Sequence, residues 1–136
     1  MSTILTDLGT YLDGATIATA DLTLGTNLFL GREPADPDTC VTLYESAGRA
    51  PADMMGDGTA PALARPGVQA RVRAASYSTA TSLADDVWQA LSKISNDTLS
   101  GTVYQRVQAL QSPFGLERDD RDRMIFVANF AVDRNV

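Results

Sequence analysis

The hydrophobic positions change period several times along the chain, and each change marks an element. Ile4, Leu5, Leu8, Tyr11 and Leu12 recur at helical spacing behind a Ser2 or Thr3 cap, which predicts a short amphipathic helix ending near Gly14 and weakened by Gly9. Residues 15–26 are small and Thr-rich without a period and read as a connector. Asn27-Leu28-Phe29-Leu30-Gly31 reads as a short strand, stopped by Glu33-Pro34-Ala35-Asp36-Pro37-Asp38, whose prolines cannot sit in a sheet interior. Residues 39–45 form a second strand, rich in β-branched and aromatic residues and apolar on both sides, which suits a central position. From 48 to 66 the chain has no period, and such stretches inside compact domains tend to be functional or disordered.

Val68, Ala70, Val72 and Ala74 alternate with Gln69, Arg71 and Arg73, the pattern of a half-buried strand. Ser76 or Ser78 caps the next helix, where Ala80, Leu83, Ala84, Val87, Leu91 and Ile94 form one apolar stripe with Trp88 at its flank. Asn96-Asp97 is expected to end it. Residues 103–110 and 124–133 are two further strands, expected to form a long hairpin through 111–123. The last strand is apolar on both faces, so both faces need cover. This order predicts an α+β fold: a mainly antiparallel sheet with two helices packed on one face and a long loop between central strands. Two short helices leave the second sheet face uncovered, and an apolar patch left there marks a partner surface.

The length of 136 residues fits one domain spanning the chain, 1–136, large enough to build a core without disulfide or metal staples. There is no His and one Cys, Cys40. The first removes the commonest general base and zinc ligand, and the second excludes an internal disulfide or a Cys-x-x-Cys pair. Eleven basic against seventeen acidic residues give a net charge of −6, which argues against nucleic-acid binding through an overall basic surface. No apolar run reaches the ~18 residues of a membrane span, and the first residues lack a basic signal-peptide region. A soluble protein made in a cytoplasm is expected.

Candidate chemistry is sparse. Arg118-Asp119-Asp120-Arg121-Asp122-Arg123 can be read as carboxylate ligands for Mg²⁺ or Ca²⁺, as a solvated mixed-charge turn, or as rim charges that set a partner's register. The interleaved arginines neutralise the metal reading. The carboxylates of Glu33, Asp36 and Asp38 resemble an acid/base pair on paper, but Pro-Asp clusters are ordinary turn formers. Arg71 and Arg73 share a strand face and could fork onto a phosphate or a partner carboxylate, or form a solvent-facing row; charge reversal at both is expected to leave the fold intact and weaken assembly. Ser76 and Ser78 have no His to activate them. Met54 and Met55, in the aperiodic stretch, suit either a segment that orders on a partner or packing back on the domain. Cys40 reads as an inert core residue. No catalytic, cofactor-binding or metal set emerges.

The succession Pro37-Asp38, Val41-Thr42-Leu43-Tyr44-Glu45, Gly48, then Val68 to Arg73 leading to Tyr77 and Ala80, resembles the small tail terminator proteins of long-tailed bacteriophages, also labelled minor capsid or tail completion proteins. Pro113 before Leu116, Arg118-Asp119, Arg123, Phe126 and Asn129-Phe130 agree with it, so the resemblance runs from about Leu28 to Val132. It implies an α+β virion protein without reaction or cofactor. Such proteins assemble with themselves as a ring, usually a hexamer, on the head-proximal end of the tail tube. There they stop tube polymerisation and meet the head-completion or neck proteins. The interface candidates are then Met54, Met55, Arg71, Arg73, Arg118, Asp119, Asp120, Arg121 and Arg123. Six copies would carry about −36, which suits a lumen that lets DNA slide without binding it. The other readings are a head-completion protein and a small metal- or ligand-binding α+β module.

Overall fold

A computed structural model describes residues 3–50 and 63–135. Helix α1 (Ile4–Gly14) opens on Thr3, whose hydroxyl accepts the amide of Thr6, and buries Ile4, Leu8 and Leu12. Gly9 serves the packing: a Cβ there would lie 2.9 Å from Leu30 Cδ2, so its absence lets the helix approach the first strand closely. That strand, β1 (Leu28–Leu30), runs parallel to β2 (Cys40–Ser46), and β2 is antiparallel to β4 (Gly67–Ala74). Between them lies a two-residue strand, β3 (Leu63–Ala64).

Helix α2 (Tyr77–Ser92) is capped by Ser76 and buries Ala80, Leu83, Ala84, Val87 and Leu91, the stripe read from sequence. After it the chain departs from expectation. Asn96-Asp97 does not simply end the helix; these residues belong to β5 (Ser95–Leu99), which pairs with β6 (Thr102–Ala109). Ser100 (φ 51°) and Gly101 (φ 84°) make the tight two-residue turn between them. Next come β7 (Phe114–Arg118) and β8 (Met124–Asn135).

The strand order is β1-β2-β4-β8-β6-β5, with β3 and β7 each pairing β8. The sheet is therefore mostly antiparallel but mixed, since β1 and β2 are parallel. Strand β8 is its axis. Along one edge it pairs β4 through Met124–Ala131 and then β3. Along the other it pairs β7 at Met124–Val127 and β6 at Phe130–Arg134. The expected hairpin between β6 and β8 thus exists, but its connection contains a strand of its own.

Register explains how β8 can be apolar on both faces. Val41, Val72 and Phe126 align across the sheet, as do Leu43, Ala70 and Ala128. These share one core with residues of both helices, together with Val68, Phe130 and Val132. On the reverse face Ile125 and Val127 align with Arg73 and Arg71, and both are buried. The second face is covered there by the chain itself.

Candidate functional site

The cover is built from the segment between β1 and β2. Its prolines keep it out of the sheet, and residues 33–38 lie as a strap across the arginine side chains of β4. Glu33 accepts Arg73 Nη1 at 2.8 Å, and its other carboxylate oxygen lies 2.7 Å from Arg71 Nε in an ion pair without hydrogen-bond geometry. The Arg73 guanidinium also donates to the carbonyls of Pro34 (2.8 Å), Pro37 and Asp38 (3.2 Å). A planar five-donor fork is the group that can serve one carboxylate and three carbonyls together. Arg73 is 2% exposed, so the expected solvent-facing row is corrected at its end: Arg73 is an internal anchor, and Arg71 is half-buried beside it.

The turn between β7 and β8 fixes the strap from the other side. Asp119 Oδ1 accepts the backbone amides of Arg121 (3.0 Å) and Arg123 (2.9 Å), and its Oδ2 accepts Arg123 Nε at 2.8 Å. Burial pushes the Asp119 carboxyl up, but the Arg123 amide and side chain and the Arg121 amide outweigh it and hold it below the ordinary carboxylate range. Arg123, 5% exposed, donates to Ala35 O and lies 3.3 Å from Asp38 Oδ1. Arg121 donates to Ala35 O (3.0 Å) and lies 3.3 Å from Asp36 Oδ1. Arg71, Arg73, Asp119, Arg121 and Arg123, read as separate candidates, are thus one cluster closed around Glu33, Asp36 and Asp38. Arg118 is exposed, bonded to Asp122 O at 3.0 Å, and Asp120 is exposed. Among the described residues no group of three or more acidic or Cys side chains could hold a metal ion. Met54 and Met55 lie outside the described residues.

Two further clusters escaped the sequence. Asp133, on the reverse face of β8, lies 2.6 Å from Arg49, 3.6 Å from Arg106 and 3.9 Å from Arg65. Three guanidiniums share one carboxylate, so the cluster stays cationic. In the core, Tyr104 donates to Asp7 Oδ2 at 2.5 Å, and Arg134 Nη1 sits 3.3 Å from the Tyr104 hydroxyl and 3.8 Å from Asp7 Oδ2. Burial first, and then the bond to Asp7, push the Tyr104 phenol well above its ordinary value. Asp7 in an Ile4-Asp7-Leu8 stripe was the available signal for this pair, because a carboxylate on an apolar helix face needs a buried donor.

Among the described residues, large apolar side chains are exposed at the margin formed by β6 and β7, displaced from the centre of the sheet, and at the start of α2. Strand β7 is exposed throughout, with Phe114 at 41% and Leu116 at 48%, and Leu110 beyond β6 reaches 61%. Tyr77 at the start of α2 is 58% exposed, its ring edge-on to Phe126 at 5.5 Å. No side chain in these clusters is a nucleophile beside a base; what the surface offers is charge and apolar area for contact. No helix among the described residues is long and apolar enough to cross a membrane.

The fold is shared with a solved chain described as "Virion of native gene transfer agent (GTA) particle", at a TM-score of 0.72 and 19% identity, covering 98% of this chain and 95% of that one. No curated protein matches the sequence. The family model described as bacteriophage tail terminator protein matches residues 5–136. That span runs from the first turn of α1 through the strap, the β6–β7 margin and all of β8, and the chain belongs to the bacteriophage tail terminator family.

Proposed function

We propose that this protein is a virion component that forms a ring on the head-proximal end of a phage tail tube, ends tube growth there, and offers its outer surface to the head-completion or neck proteins. The family match over nearly the whole chain carries the reading. The structure supports it in kind: the strap and core clusters of carboxylates and arginines hold the fold, while Leu110, Phe114 and Leu116 lie exposed together at one margin, as in a part that works by contact. The ring is a hexamer, one domain per copy, made in the host cytoplasm before it joins the tail.

Charge distribution supports passage of DNA without binding. The segments 3–30 and 77–99, which hold both helices, carry six carboxylates and a single cation, Lys93. Nearly all of the net −6 therefore resides there. The exposed carboxylates of that layer outside α2, Asp13 and Asp21, repel a phosphate backbone from a lumen that they face, because cationic contacts create nonspecific affinity.

Electron microscopy of lysates from a phage lacking this protein tests the reading. Tails of uncontrolled length are expected. Tails of normal length beside unattached heads overturn it in favour of a neck protein.

A further inference from the structure

Arg106 and Leu110 point to the same side of the sheet as Asp133, since Arg106 pairs with Asp133 and the Leu110 amide bonds Asn129 O, one position on from the core-facing pair Ala109 and Phe130. Phe114 joins them opposite Val127. This margin therefore has a cationic end, Arg106 with Arg49 beside it, and an apolar end, Leu110 with Phe114. The two ends are four strand residues apart, about 13 Å. The exposed stripe of α2 carries the complementary pattern: Tyr77 and Asp85 are both exposed and eight helical residues apart, about 12 Å. Asp85 belongs to the acidic layer and has only Gln89 as a side-chain partner among the described residues.

We infer that α2 of one copy docks across the β6–β7 margin of the next, with Asp85 toward Arg106 and Arg49 and Tyr77 on Leu110 and Phe114. The occupant is a second copy because the same chain displays both halves of the pattern, opposite in charge and matched in spacing. The two halves are different surfaces, so the contact is head-to-tail and propagates until a rotation closes it. A closed ring gives every copy two such contacts, so a modest patch suffices once the ring is complete. The inference rests on the ring reading and deepens it by naming its interface.

Cysteine cross-linking tests it, with Cys40, 1% exposed, as the silent background thiol. The double variant Tyr77→Cys/Leu110→Cys, treated with a short bis-maleimide, is expected to give a ladder of oligomers. Each single variant is expected to stay monomeric, since position 77 meets 110 and never itself. Adding Arg106→Asp or Asp85→Arg to the double variant lowers the ladder yield by roughly tenfold, about 1.4 kcal/mol, and adding both restores it. Circular dichroism checks that each remains folded, and the neutral pair Arg106→Gln and Asp85→Asn repeats the test for any that does not.

Single variants that dimerise as well as the double one, or a charge swap that fails to restore the ladder, overturn the contact. Sedimentation of the wild-type chain, free and bound to tubes, separates the two levels. Oligomers there without a ladder between 77 and 110 overturn this interface and leave the ring standing. A monomer in both, on tubes as well as in solution, overturns the ring too.

Discussion

Replacing Arg73 by Met removes the side chain that makes the most hydrogen bonds to the strap. The change preserves a long buried stem but leaves the carbonyls of Pro34, Pro37 and Asp38 without their donor. Glu33 keeps only Arg71. Arg73 is 2% exposed, so water cannot fully replace these bonds, and breaking one side of a buried charged network costs about 3–5 kcal/mol. The bonds are not additive, and that range already includes the orphaned carbonyls. Against a total stability of about 5–15 kcal/mol the loss is large. With a urea slope near 2 kcal/mol per M, the unfolding midpoint should fall by roughly 2 M. Arg73→Lys keeps the charge but not the fork, so it should recover only part of the loss. Arg73→Met combined with Glu33→Gln should cost less than the sum of the two singles, because the second change removes the carboxylate that the first orphaned. A shift for Arg73→Met within the ~0.5 kcal/mol of ordinary surface substitutions would refute the reasoning and return Arg73 to the solvent-facing row.

Tyr104→Phe leaves the fully buried Asp7 without its hydroxyl donor and should cost about 1.5–3 kcal/mol, read as a lowered midpoint in thermal unfolding. Gly48→Ala should loosen the pairing of β3 with β8, because a Cβ there would stand 2.1 Å from the backbone carbonyl of Arg65; faster amide exchange at Leu63 and Ala64 checks it, and unchanged exchange would contradict it. The Asp119 carboxyl is held below its unfolded-state value, so its contribution is complete above the ordinary carboxylate range and is lost as pH falls through its lower folded value. Amide protection in the strap, taken relative to the intrinsic exchange rate at each pH, should therefore fall on acidification in the wild type, and Asp119→Asn should flatten that dependence.

The alternation of Val68 to Ala74 and the stripe of α2 were legible because each reports a face against one core. Strand β5 was not, because Ser95-Asn96-Asp97-Thr98 is polar and owes its strand to pairing with β6. Strand β7 was hidden for a related reason: all five of its residues are exposed, so burial imposes no period on them. The strap illustrates a different limit. Pro34 and Pro37 announced a turn, and Arg71, Arg73, Arg121 and Arg123 announced charge, yet Arg73 and Arg123 meet the same strap from positions 36 and 88 residues away. Local pattern cannot carry that convergence. Nor could alternation tell which polar face of β4 a later or earlier loop would cover.

Strand β8 has a consequence for how the molecule can yield. Its two edges are each shared by two strands, with β7 and β6 taking successive stretches of one of them. The stretch held by β7 is also held by β4 on the opposite edge. Strand β7 can therefore peel away and return while β8 keeps its pairing to β4 and β6, opening locally at far lower cost than the whole sheet. The chain thus has a hinged border on a fixed spine, a fold in which one margin is free to adjust to what it meets while the strand beside it stays in register.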